Sequence, residues 1–150
     1  MRDARTQDCR SVWAWRNNEA TREASFRTEP IPYEDHERWY REHLGRPETR
    51  IYIVLDAGGR EVGYVRFSIE GEAAEVSVSI DPKERGKGYG SISVHKAAEE
   101  LLSKGSVREV VARIKAWNTA SIRTFVKAGF VHRGQRQVSG VEALEMVYQP

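Results

Sequence analysis

Cysteine is almost missing from this chain of 150 residues. The single one, Cys9, excludes an internal disulfide and a thiolate metal cage. Histidine is also sparse. His36, His43, His95 and His132 are scattered without an i, i+4 pair, so no metal site is expected. No long apolar run is present, which removes a membrane-spanning helix from consideration. The opening Met-Arg-Asp-Ala-Arg carries no hydrophobic signal core. Together with the lone thiol this gives the expectation of a cytoplasmic protein. An excess of either charge is lacking too. The 24 Lys and Arg face 22 Asp and Glu, for a net charge of +2. The basic residues form no run of five or more, so nothing suggests a nucleic-acid partner.

What remains is a length that suits one domain, residues 1–150, with enough chain to bury a core. Asp8 to Asn18 reads as a first helix, with Val12 and Trp15 in an i, i+3 relation. A turn bracketed by Pro30 and Pro32 follows. Tyr33 to Leu44 reads as a second helix with His36, Tyr40 and Leu44 on one face. Ile51 to Asp56 and Glu61 to Ile69 form strands around the turn Ala57-Gly58-Gly59-Arg60. Ala74 to Ile80 is a further strand. A helix from Ser91 to Lys104 buries Val94, Ala97, Ala98, Leu101 and Leu102. Val107 to Ile114 is a strand, Asn118 opens a helix, and a last hairpin turns at Ser139-Gly140.

The turn between strand Ala74 to Ile80 and its following helix reads Arg85-Gly86-Lys87-Gly88-Tyr89-Gly90-Ser91. Glycines let the backbone turn sharply and come close to a ligand. The first amides of the helix have no partner in the chain, and the helix dipole adds partial positive charge there. Arg85 and Lys87 supply two full charges. Such a turn favours an anion, in particular a pyrophosphate, although by itself it also serves as a plain helix cap. It lacks the ending of a Walker loop, and its glycines alternate instead of following the dinucleotide pattern.

The spacing Arg85-x-x-Gly88-x-Gly90 resembles the acetyl-CoA pyrophosphate loop of the GCN5-related N-acetyltransferases. A second segment strengthens the likeness: Asn118, Ser121, Phe125, Lys127, Gly129 and Phe130 fall at that family's positions. The same residues would serve a capped helix, with Asn118 as N-cap, an Ile122, Phe125 and Val126 stripe, and Gly129 as stop. The resemblance covers roughly residues 50–148. It implies an α/β (α+β mixed) fold: a central mixed sheet of about six to seven strands, an antiparallel meander then βαβαββ, with helices on both faces. The family's opening strand has only Met1 to Arg5 available and is expected to be very short or absent.

The resemblance further implies an enzyme that moves acetyl from acetyl-CoA to a primary amine. The cofactor would be held by Arg85, Gly86, Lys87, Gly88, Tyr89, Gly90, Ser91, Asn118, Phe125 and Lys127. The N–H of Val78 or Ile80 would polarise the thioester carbonyl. Where the family commonly carries a tyrosine as proton donor, this chain has Phe125. That ring is expected to wall the cofactor, since a thiol titrating near ~8.5 leaves without much help. Where some relatives carry a glutamate base, Arg113 stands. The candidate catalytic residues are Glu75, Ser77, Ser79 and His36. Strand alternation puts Glu75, Ser77 and Ser79 on one face, where the serines line a wet cleft or pack against a helix. His36, beside Trp39 and Tyr40, is also a candidate packing residue.

The missing carboxylate at 113 tilts the expectation toward an amine of low basicity, because a lysine near ~10.4 costs about 4–5 kcal/mol to deprotonate at pH 7. Arg16, Asn17, His36 and Trp39 resemble, in order, the branch that acetylates an amino sugar carried on a nucleotide. The partner expected is thus a small-molecule amine, such a sugar nucleotide being one candidate, handled by a monomer or homodimer. The alternatives are a protein or peptide N-acetyltransferase and a non-catalytic acyl-CoA-binding module.

Overall fold

The computed structural model describes residues 1–150. A seven-stranded sheet runs through the molecule in the order β1-β2-β3-β4-β5-β7-β6. Its members are β1 (Arg2–Asp3), β2 (Thr49–Leu55), β3 (Glu61–Glu70), β4 (Ala73–Ile80), β5 (Glu109–Lys115), β6 (Phe130–Val138) and β7 (Val141–Tyr148). Only β4 and β5 are parallel. They are joined by the crossover helix α4 (Tyr89–Ser103), as parallel neighbours require. The first strand is only two residues long and pairs with Tyr52 and Ile53. Its anchor is Asp8, which takes two bonds from the Arg2 guanidinium at 2.7 and 2.9 Å and one from Arg5 N–H at 2.7 Å.

Alternation along the strands sorts side chains to two faces. On one face Ala74, Val76, Val110, Ala112 and Ile114 join Val94, Ala97, Ala98 and Leu101 of α4 in the larger core. Phe125 of α5 (Thr119–Lys127) completes it. On the other face Ile51, Ile53 and Tyr64 meet Val12 and Trp15 of α1 (Cys9–Arg16) and Tyr40 of α3 (Tyr33–His43). Leu44 lies against this second cluster.

Two details depart from the sequence reading. Residues given no element between the first helix and the Pro30–Pro32 turn form a short helix, α2 (Glu19–Ala24), in which no residue is buried. In α5 the buried line runs through Phe125 and Ala128, whereas Val126 is 56 % exposed. The helix is rotated so that Val126 faces outward and Ile122 is only partly covered. No helix is long and apolar enough to cross a membrane.

Candidate active site

The parallel pairing of β4 with β5 stops early. Partners are Ala73 with Glu109, Ala74 with Val110 and Glu75 with Val111, and none follow. Beyond Glu75 the strands part, each still held on its outer side: β4 by β3 as far as Ile80, β5 by β7 as far as Lys115. Asp81 N–H donates to Val62 O on β3 at 2.7 Å. Amides alternate sides along a ladder, so the N–H groups of Val78 and Ile80 point into the gap. The Ile80 carbonyl does so as well, and it accepts from Arg85 Nε at 3.1 Å.

At the mouth of the gap lies the glycine turn. Gly86 and Gly88 hold φ of 79° and 87°, a region that excludes most side chains. Gly88 is the N-cap of α4, and the first intrahelical bond runs from Ile92 N–H to Gly88 O. No amide from Gly86 to Ser91 donates to another backbone group. Gly90 packs closely on α5: a Cβ there would come within 3.2 Å of Thr124 Cγ2, and that side chain would have to shift. A concave run of unpaired N–H groups at a helix N-terminus fits a pyrophosphate.

The charges of the turn differ from the sequence expectation. Lys87 Nζ is paired at 2.8 Å with Glu84, which also binds Arg60. Glu84 is buried, and its bond raises the Lys87 pKa. Arg85 binds neutral oxygens: Ile80 O, and Thr21 Oγ1 on α2 at 2.9 Å. The turn therefore offers one unmatched guanidinium, and that group reaches across to α2.

Lys115, the last residue of β5, reaches the same helix from the other side of the gap. It is buried, and its Nζ donates to Glu23 O at 2.7 Å, 6.0 Å from the Phe26 ring centroid. Helix α2 thus spans the two strand ends that have separated. Neither Lys115 nor the role of α2 was expected from sequence.

The serine face is present. Ser77 and Ser79 stand opposite Arg66 and Tyr64 across the β3–β4 ladder, Ser77 half-buried and Ser79 buried. Glu75 lies at the apex of the gap, with its carboxylate 2.5 Å from Arg113 Nη1. A groove of about 400 Å³ lined by residues including Glu75, Arg113, Ser68 and His43 opens beside that apex.

His36 is placed differently from a base facing the gap. It is fully buried, with Nε2 3.0 Å from Cys9 O and Nδ1 3.3 Å from Arg16. Burial, then the charges of Arg16 and Arg66, push its pKa down to about 4. Both nitrogens are engaged within the fold, so the ring positions α1 against α3. Phe125 lies in the core, edge-on to Phe130 at 5.1 Å. Asn118 Oδ1 accepts from Ser121 N–H at 3.1 Å and caps α5, and Lys127 is exposed at the end of that helix. Asn17 is tied up as well, its Oδ1 accepting from Ile31 N–H at 2.8 Å. Trp39 is half-buried between Arg16 and Arg66.

A parted pair of parallel strands with an open amide turn at its mouth suits an extended ligand that ends in an anion. Comparison with known proteins agrees. Residues 1–131 match the acetyltransferase (GNAT) domain family. A Bacillus subtilis (strain 168) protein named "Putative phosphinothricin acetyltransferase YwnH" is 32% identical over 142 residues, covering 89% of this chain and 85% of that protein. A Vibrio cholerae spermidine N-acetyltransferase in complex with CoA and spermine superposes with a TM-score of 0.85 at 19% identity, over 97% of this chain and 92% of that one. The aminoglycoside acetyltransferase AAC(6')-Ib in complex with coenzyme A and kanamycin gives 0.81 at 22% identity, over 97% and 91%. The chain belongs to the GNAT acetyltransferase family. It is an acetyl-CoA-dependent N-acetyltransferase.

Proposed function

We propose that the chain works as one acetyltransferase domain on the primary amine of a small molecule. The observation that carries this is the gap beyond Glu75, lined by the Val78 and Ile80 amides and closed at its mouth by the unpaired N–H run from Gly86 to Ser91. The donor supplies a thioester acyl group. The 86–91 amides hold its diphosphate, and β4 offers its free edge to the pantetheine arm as a neighbouring strand would. The N–H of Val78 or Ile80 donates to the carbonyl oxygen as charge builds there, a contribution of ~3 kcal/mol for one well-placed donor.

The amine enters from the α1–α3 face, beneath α2. Ser77 and Ser79 lie on that face and serve as relays for the departing proton through water. The β4 carboxylate, Glu75, is held by Arg113, so no unpaired carboxylate on that strand faces the gap. This favours an amine that is already largely neutral near pH 7. An amino group on a nucleotide-linked sugar meets that requirement, since its ring oxygens withdraw electrons, and it is one acceptor within this reading. A protein N-terminus needs an open channel for chain, and α2 bridging the gap argues against it.

The test is turnover of acetyl-CoA with a panel of small amines and a peptide, followed by release of free thiol. Thiol release that requires a small amine and saturates with it is expected. Binding of acetyl-CoA without amine-dependent release would leave only a carrier-binding module.

A further inference from the structure

Among the partly buried arginines, Arg2 meets Asp8 and Glu61 and Arg113 meets Glu75 and Glu145, while Arg22 donates to the Asn17 and Thr28 carbonyls and Arg50 lies by Tyr52. Arg16 and Arg66 differ. Each lies over the Trp39 ring, with Cζ 4.8 and 5.2 Å from its centroid, and neither is within reach of a carboxylate. Arg16 has one polar contact, His36 Nδ1. Arg66 Nε is buried with no hydrogen-bond partner. Burial, followed by the charges of Arg66 and Arg27, holds the Arg16 pKa below its ordinary value.

Two part-buried like charges over one aromatic ring repel each other, an effect that the attraction of each to the ring face offsets in part. They become favourable when an anion arrives, because a guanidinium forks onto carboxylate or phosphoryl oxygens. The location is also telling. Arg66 pairs with Ser77 across the ladder, one strand from the gap. We propose that Arg16 and Arg66, seated on Trp39, receive an anionic group carried by the acceptor, a carboxylate or a phosphoryl oxygen. The inference rests on the acetyl-transfer reading above. It makes Arg66 a specificity-determining residue and disfavours polycationic amines.

The experiment compares acceptors that differ in the anion: an α-amino acid against its carboxamide, 2-aminoethylphosphonate against ethanolamine, and spermidine as polycation. Free-thiol release is measured for each. We expect kcat/KM at least tenfold higher for an anionic member than for its neutral partner, the better of the two anionic members telling carboxylate from phosphoryl recognition. Arg66→Gln should reduce that ratio at least tenfold, mainly through KM, and Arg66→Lys should restore only part of it. Arg66→Gln should not lower the melting temperature of the unliganded protein, because it removes repulsion and an orphaned donor. Turnover with equal ratios, or with spermidine preferred, overturns the anion subsite and leaves acetyl transfer standing. If no amine turns over, the transfer reading falls; calorimetry of the same acceptors in the presence of coenzyme A then decides the subsite, and equal affinity for anionic and neutral members overturns it.

Discussion

At the scale of single residues, buried polar groups decide how the protein answers pH. His36 has an ordinary pKa of 6.5 and one of about 4 in the fold. Above 6.5 both folded and unfolded chains keep the ring neutral. Between 6.5 and about 4 only the unfolded chain takes the proton, so stability falls as pH falls. The full displacement corresponds to roughly 3 kcal/mol. Urea unfolding between pH 7 and 4.5 should show this decline, and His36→Gln should flatten it. A wild-type profile that is level over that range would mean that burial and the neighbouring Arg16 and Arg66 do not hold the ring's pKa down. Gly88 makes a second case. A Cβ there would meet only Ile92 Cδ1 at 3.8 Å, so space is available; the φ of 87° is the obstacle. A β-branched residue is strained in that region by about 1–2 kcal/mol, and relief would turn the amides away. Gly88→Val should weaken acetyl-CoA binding at least tenfold by calorimetry. Gly88→Asn, which tolerates this region, should weaken it less. Unchanged affinity in Gly88→Val would remove the loop from the binding site.

At the scale of elements, the two ties on α2 matter most. The helix buries no residue, and a segment of six residues is far too short to persist alone. Its position comes from Arg85 to Thr21 and Lys115 to Glu23. Arg85→Ala should therefore speed hydrogen exchange at Ser25, whose N–H bonds back to Thr21 and Arg22. It should also raise KM for the amine more than that for acetyl-CoA. Exchange unaffected by the substitution would show that α2 is held by other means. This helix also marks where sequence stops being informative. Helices α3 and α4 were legible because their apolar residues recur every three or four positions and meet a sheet. Helix α2 has no such stripe, and its partners lie 64 and 92 residues away. The same distance problem misdirected the charge of the glycine turn. Glu84 sits three residues before Lys87 and could have been read as its partner, but the reach of Arg85 to Thr21 could not. The gap itself is a divergence of two strands, and no local pattern in β4 or β5 announces it; the resemblance implied only that the N–H of Val78 or Ile80 meets the thioester.

At the scale of the whole molecule, the sheet is covered on both faces, yet it is only partly zipped down its middle. Strands β1 to β4 with α1 and α3 form one body, and β5 to β7 with α5 form another. They are joined by the short parallel ladder ending at Glu75 and by α4 crossing between them. A ligand laid in the gap adds contacts to both sides at once, so binding should register as global stability. At free acetyl-CoA a hundredfold above its dissociation constant, the gain is ~2.7 kcal/mol. For a chain of this size that raises the melting temperature by roughly 5–10 °C. Gly88→Val should lose most of the rise, because the diphosphate grip is damaged. Arg66→Gln should keep it, because that residue faces the acceptor and not the donor. A rise abolished by Arg66→Gln would instead place the guanidinium against acetyl-CoA itself, and the division of the cleft into a donor side and an anion-seeking acceptor side would have to be redrawn.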